Sequence, residues 1–312
     1  MPELPEVETT KTSLIPLLGQ QLVDIKVFQP KLRWSMPSDL DRLVGCVLDS
    51  VERRAKYLIL NFLPAVNDNT DASHQVNTAE PIKLLVHLGM SGSLQQHELD
   101  ATKRKHDHLM MTFMSDGDTK CQLHYHDPRR FGSVLWYQDY SSRLLDHLGP
   151  EPLSDNFTAD YLYHLIQRTT VPCEKNNDTA SNSVKSRKKP IARPIKSVIM
   201  EQQVVVGVGN IYATESLFLS SIHPATPAHH LSFDQVFILV GHIKTILQEA
   251  IELGGSTLRD FTVANGQTGY FQQTLNVYGR QNENCLHCET LLENLKLNGR
   301  ASVYCPNCQP LV

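Results

Sequence analysis

The sequence predicts an α+β protein: an N-terminal helix, an antiparallel β-sandwich or barrel domain, a helical domain and a C-terminal tail of short strands built around a metal. Three observations carry this. Short runs rich in β-branched and aromatic residues, many separated by Gly, Pro, Asn or Asp, fill roughly the first 150 residues. Helical periodicity then takes over. Near the end stand two C-x2-C pairs.

Residues 2–18 read as a short helix. Pro2 and Pro5 suit a first turn, and Glu3, Glu6 and Glu8 suit the positive end of the helix dipole. Strands are expected at 21–28, 44–53, 57–62, 84–88, 108–114, 122–126 and 133–137. Helices are expected at 159–167, 196–205, 213–220, 232–252 and 257–263. In the fourth, Val236, Val240, Ile243, Ile246, Leu247 and Ile251 fall near one face. Two polar segments look inserted: 66–80, a loop between two apolar strands, and 173–189, a low-complexity run that turns basic and is expected to be disordered. The domains are therefore 1–150, 151–269 and 270–312.

Hydrophobic residues are 41% and charged residues 20% of the 312, enough apolar material to exclude wholesale disorder. No run approaches the roughly 18 apolar residues of a membrane span, and the acidic, proline-punctuated MPELPEVETT is not expected to be a signal peptide. The net charge of -4 gives no global sign of nucleic-acid binding, so any such function must rest on local basic surface.

Cys285 and Cys288, with Cys305 and Cys308, form the two pairs. Each pair sets two thiolates on one turn, and two turns complete a tetrahedral all-sulfur site suited to one structural Zn2+. With protein in every coordination position, such a metal holds a fold together and does no hydrolysis. His287, between two ligands, is expected to be exposed. Seven cysteines, an odd number, argue for a reducing cytoplasm. His106 and His108, and His124 and His126, pair on strands; they read as polar partners rather than as a second metal site.

Pro2 has a chemical reading as well. Removal of Met1 would leave a secondary amine, which attacks an aldehyde carbon to give an iminium, an electron sink for β-elimination. Its pKa near 8 leaves part of it unprotonated at neutral pH. Taken alone, the segment reads better as a capped helix N-terminus than as a nucleophile.

The context decides. MPELPEVE together with the four-cysteine ribbon resembles bacterial formamidopyrimidine-DNA glycosylase. The resemblance continues through RRAKYLIL (53–60), HLGMSGSL (87–94), KHDH (105–108), DPRRFG (127–132), LGPEPL (148–153), PIKSVIMEQ (194–202), VVGVGNIYATESLF (205–218), VYGR (277–280) and GRASVYC (299–305). It implies a β-sandwich domain, a helix-two-turns-helix domain and a β-hairpin zinc ribbon, with double-stranded DNA lying between the domains. It also implies a bifunctional glycosylase and abasic-site lyase of the bacterial cytoplasm, acting as a monomer on oxidised purines by β,δ-elimination.

The roles below are what the resemblance implies. Pro2 is the nucleophile on C1′. Glu3 is the acid assisting ring opening and base loss, a role suited to a carboxyl whose pKa burial raises. Lys56, read as a lone cation in an apolar strand, belongs with the phosphates and the elimination. Arg300 grips the phosphate of the target nucleotide; its guanidinium stays protonated and stabilises charge. Asn210 follows Gly207 and Gly209, which match the turn of the helix-two-turns-helix motif, and donates to phosphate. His87, His106, Arg193 and Lys196 are DNA contacts. Met90, Arg129 and Phe131 fill the gap left by the everted base, and 265–270 (NGQTGY) folds over that base.

The sibling alternative, an endonuclease VIII-like enzyme for oxidised pyrimidines, typically begins Pro-Glu-Gly-Pro-Glu. Leu4 at the glycine position and the Met90, Arg129 and Phe131 set favour the purine enzyme. A non-catalytic zinc-ribbon DNA-binding protein would have no need of Pro2, Glu3 and Lys56 together.

Overall fold

The structure, a computed structural model, describes residues 2–64, 80–115, 120–169, 189–255 and 275–311. The expected segments 66–80 and 173–189, but for residues 80 and 189, lie outside them, as do the helix expected at 257–263 and the loop at 265–270. The chain divides into two compact units, Met1–His147 with Ala250–Gln273, and Leu148–Glu249 with Thr274–Val312.

The first unit opens with helix α1 (Leu4–Ser13). Glu3 and Glu6 form a capping box, with the Glu3 N–H donating to Glu6 Oε2 at 2.7 Å. The helix is shorter than the expected 2–18: Pro16 cannot supply a helical N–H, and Ile15–Leu17 is a single 3-10 turn.

Eight strands follow, all paired antiparallel: β1 (Gln21–Val27), β2 (Cys46–Arg54), β3 (Tyr57–Pro64), β4 (Ile82–His87), β5 (Ser93–Glu98), β6 (Asp107–Met114), β7 (Lys120–His126) and β8 (Ser133–Trp136). Their order is β5-β7-β6-β1-β2-β3-β4-β8. The ladder folds over so that one face closes on itself: Tyr125 of β7 donates its hydroxyl to the His87 carbonyl of β4 at 3.3 Å, though four strands separate β7 from β4 in the ladder. Leu22, Leu48, Leu60, Leu84, Met111 and Tyr125 share the resulting core, and Val7 of α1 joins it. Strand β5 was not expected from SLQQHE. Nor was helix α2 (Tyr137–Leu145), whose first residue had been read as the end of a strand.

The second unit holds α3 (Ala159–Gln167), α4 (Ile195–Ile199), α5 (Asn210–Leu219) and most of α6 (Phe233–Glu252), then the hairpin β9 (Glu293–Leu297) and β10 (Arg300–Tyr304). Helix α3 has the expected bounds, with Thr158 capping the Tyr161 N–H at 3.1 Å. Helix α4 stops six residues short of the expected 205. The buried run Val204–Val206 imitates helical core but packs as irregular chain up to Gly209. Helix α5 begins at Asn210, directly after Gly209 and three residues before the expected start at 213.

The hairpin carries a two-residue turn, Asn298-Gly299, with φ of 47° and 78°. Both values lie in the left-handed region that a tight β-turn of this length needs, and Asn-Gly is the pair that tolerates it. The hairpin packs on α5 through Phe218, Val277, Leu292 and Val303. Among the described residues no helix is long and apolar enough to cross a membrane.

Candidate active site

Each unit presents its own set of functional side chains. In the first, Pro2 and Glu3 head α1, both buried, with Glu3 only 4% exposed. The cap fixes the N-terminus: the Glu3 N–H is held by a carboxylate, and Glu8 pairs with Arg53 of β2, tying α1 to the sheet.

Lys56 is not within a strand. Arg54 pairs with Tyr57 across β2 and β3, so Ala55 and Lys56 are the two turn residues, Ala55 with φ of 55°. The side chain is nonetheless buried, at 8% exposed. Its cation is felt by His87. Burial first, then the charges of Lys56 and Arg33, push the His87 imidazole down to about 4. His87 is therefore neutral at pH 7. Its Nδ1 faces the Gly89 N–H at 3.0 Å and can only accept, which leaves the ring proton on Nε2 as a donor.

Met90 lies in the turn after β4, and Arg129 and Phe131 in the loop before β8. Phe131 is 47% exposed, with the Arg129 guanidinium 5.5 Å from its ring centre. The two loops are locked together. Ser91 Oγ donates to Asp127 Oδ1 at 2.8 Å, the Gly132 N–H donates to Asp127 Oδ2 at 2.9 Å, and the Arg129 N–H donates to Ser91 Oγ at 3.2 Å. The backbones press so closely that a Cβ on Gly89 would stand 2.4 Å from the Gly132 nitrogen. Met90 and Phe131 are thus presented by interlocked loops.

His106 lines a basic groove of about 340 Å³ with Phe28, Lys103, Lys105, Pro128 and Arg130. Beside it Asp107, 1% exposed, accepts from Arg104, from His124 Nδ1 at 3.0 Å and from His126 Nδ1 at 2.8 Å. Its carboxyl is held well below the usual range by these hydrogen bonds, against the opposing effect of burial. The strand histidines are engaged there, and His108 Nε2 meets the Asp127 carbonyl at 2.8 Å.

In the second unit, Asn210 opens a ten-residue helix, where free N–H groups and the dipole favour an anion. Its Oδ1 is buried with no hydrogen-bond partner among the described residues. Five residues on, Glu215, fully buried, accepts from Asn276 N and Nδ2, Val277 N and Tyr278 N at 2.7–3.0 Å. It fixes the chain entering the ribbon. Arg193 forms a two-pronged pair with Glu201 at the surface. Lys196 is 1% exposed, with its Nζ bonded to β10. Arg300 is exposed at the first position of β10, directly after the turn.

The four cysteines have their sulfurs within 4.8 Å of one another. Sulfur–sulfur distances of 3.4 Å for Cys288 to Cys305 and 3.9 Å for Cys285 to Cys308 bracket the roughly 3.8 Å edge of a tetrahedron with Zn–S near 2.3 Å. The set holds one structural zinc ion. His287 is exposed, as expected, its ring 4.9 Å from that of Phe218. Among the described residues the four cysteines are the one group of three or more His, Cys, Asp or Glu arranged to hold an ion.

Asp127, Ser91, Tyr125, Asp107 and Glu215 were not singled out in the sequence. All lie in or beside the motifs, but their partners are distant in the chain, and no local pattern marks them.

Comparison with known proteins accounts for this arrangement domain by domain. The Formamidopyrimidine-DNA glycosylase N-terminal domain matches residues 1–134, the Formamidopyrimidine-DNA glycosylase H2TH domain matches 148–262, and the zinc finger found in FPG and IleRS matches 282–311. The Formamidopyrimidine-DNA glycosylase of Psychrobacter arcticus is 69% identical, with 100% of this chain and 99% of that protein covered. That of Acinetobacter baylyi is 51% identical with the same coverage. A Lactococcus lactis FPG mutant bound to Fapy-dG-containing DNA superposes with a TM-score of 0.78 at 32% identity, covering 99% of this chain and 100% of that one. The protein from Thermus thermophilus superposes with a TM-score of 0.76 at 30% identity, covering both chains fully. The three domains in order, the four-cysteine ribbon and this identity over the full length establish that the chain belongs to the formamidopyrimidine-DNA glycosylase family.

Proposed function

We propose that the protein excises oxidised purines, 8-oxoguanine and formamidopyrimidines, from duplex DNA and then cleaves the abasic strand by β,δ-elimination. The observation that carries this is the burial of Pro2 and Glu3 side by side at the capped head of α1. A secondary amine next to a carboxyl kept from water is what amine-based excision needs. Once Met1 is removed, the Pro2 nitrogen attacks C1′ and the C1′–N bond breaks. Its electron pair leaves with the base, which takes up the proton lost by the amine; the Pro2 lone pair then breaks the C1′–O4′ bond as Glu3 protonates O4′, and the opened sugar becomes an iminium on Pro2. Loss of a C2′ proton expels the 3′ phosphate. A second elimination expels the 5′ phosphate, and hydrolysis frees Pro2.

Lys56 and Arg300 serve as cations for the departing phosphates, and the Nε2–H of His87 and the amide of Asn210 as neutral donors. His106 lies in a basic groove suited to the backbone of the duplex. Phe131 and Met90 occupy the vacated stack, with Arg129 beside them. Arg193 serves the same duplex by exchanging Glu201 for phosphate, since a surface pair is worth at most about 1 kcal/mol. The work is done by a monomer in the bacterial cytoplasm, on the chromosome.

The substrate reading is supported by relatives. Lactococcus lactis Fpg has been seen with Fapy-dG-containing DNA and with abasic-site-containing DNA. The same protein has been seen with oxidised-pyrimidine-containing DNA, which makes that lesion the second substrate to assay.

The test uses Glu3→Gln and two duplexes. Excision needs the Glu3 proton at O4′ as the sugar opens, whereas a preformed abasic site already offers an aldehyde. The variant is expected to lose 8-oxoguanine excision yet still cleave abasic DNA and be trapped on it by borohydride. Wild-type excision by Glu3→Gln, or trapping on protein that still carries Met1, would reject the assignment.

A further inference from the structure

Lys196 is the second residue of α4, and its side chain is 1% exposed. Its Nζ donates to the Ala301 carbonyl at 3.0 Å and to Ser302 Oγ at 2.7 Å. A cation withdrawn from water to this extent persists only where oxygens replace its hydration. Ser302 is itself fully buried, and its N–H donates to Asn294 Oδ1 across the hairpin at 3.0 Å. These two residues directly follow Arg300.

A two-stranded hairpin is marginal by itself. Zinc restrains one end of β10, because Cys305 follows Tyr304. Arg300 lies at the other end, five residues away, or about 17 Å at the rise of a strand. The zinc therefore leaves the tip to be held by something else, and Lys196 bonds it there. We propose that Lys196 is a positioning residue. It anchors β10 to α4 so that the Arg300 guanidinium stands at a fixed place, and it does not itself meet the DNA. This rests on the reading of Arg300 as a phosphate clamp and replaces the expectation that Lys196 touches phosphate.

The test uses the full-length zinc-loaded protein and a duplex carrying a tetrahydrofuran abasic analogue. Dissociation constants are measured against salt for wild type, Arg300→Ala, Lys196→Met, Ser302→Ala and the Arg300→Ala/Lys196→Met and Arg300→Ala/Ser302→Ala double variants. Zinc content and melting temperature are checked for each. Arg300→Ala should weaken binding about tenfold and reduce the slope of log K against log salt by about 0.9, one phosphate. Lys196→Met should weaken binding severalfold, and its double variant should match Arg300→Ala within twofold, in affinity and in slope. Ser302→Ala keeps the lysine cation and removes a partner. It should weaken binding in the same direction in the wild-type background only, and it decides the matter if Lys196→Met fails to fold.

A further slope loss of about 0.9 in the Arg300→Ala/Lys196→Met double variant would make Lys196 a phosphate contact in its own right. Wild-type binding by both Lys196→Met and Ser302→Ala would remove the anchor. An unchanged slope for Arg300→Ala would instead defeat the reading of Arg300, and the proposal with it.

Discussion

Ser91 and Asp127, 36 residues apart, meet through a 2.8 Å hydrogen bond between two buried side chains, and that bond joins the loop carrying Met90 to the loop carrying Phe131. The second oxygen of Asp127 holds the Gly132 N–H, and Tyr125 closes the assembly from beneath. Burial pushes the Tyr125 phenol well above its ordinary range, so it remains a hydroxyl donor. The exposed tip of Phe131 is thus supported by a lock of buried side chains.

Replacing Asp127 with Ala leaves two buried donors without acceptors, at about 1–3 kcal/mol each. The variant should lose that stability in urea unfolding and bind lesion-containing duplex more weakly. Wild-type values for both would show that the lock carries no load.

A Cβ at Gly132 would fall 1.7 Å from the Tyr125 hydroxyl oxygen. Gly132→Ala should therefore be strongly destabilising. Adding Tyr125→Phe, which removes that oxygen, should recover part of the loss. Strict additivity of the two changes would mean that the clash is relieved elsewhere.

His87 gives a pH dependence whose sign is fixed. Its folded pKa of about 4 lies below the ordinary 6.5. Between those values the unfolded chain binds more protons, so stability is full above about pH 6.5 and falls as pH drops toward 4. Wild type should lose about 2–3 kcal/mol more than His87→Gln between pH 7 and 4.5, at 1.36 kcal/mol per pKa unit. Parallel profiles would place the shift elsewhere.

Much of this molecule was legible in its sequence, for reasons that differ by element. Strands such as Tyr57–Pro64 announce themselves because buried faces demand contiguous apolar residues. The four cysteines are legible because metal geometry imposes local spacing. Strand β5 was missed because it is an edge strand of polar composition, recruited by its pairing with β7. Helix α4 was overextended because Val204–Val206 is buried without being helical. Pro2 and Glu3 could be read from a motif, but the lock of Asp127 and the anchor of Lys196 could not. Lys196 and Ser302 are 106 residues apart, and only the folded chain brings them together.

The zinc prediction can be read in each unit separately. Both tryptophans, Trp34 and Trp136, belong to the first unit, so tryptophan emission reports on that unit. Besides the metal and the Lys196 bonds to β10, the ribbon is held by a five-residue hairpin pair and a small cluster in which Cys285 and Cys305 are themselves core members. Structural zinc sites contribute about 10–16 kcal/mol of apparent binding free energy, far more than such a cluster supplies. Chelation, or Cys288→Ser, should therefore melt β9 and β10 and release Arg300 from its fixed position. DNA binding should be lost while tryptophan emission stays at its native wavelength. Returning zinc to the chelated wild type should restore binding. Full activity after zinc removal verified by atomic absorption would show that the ribbon stands without its metal.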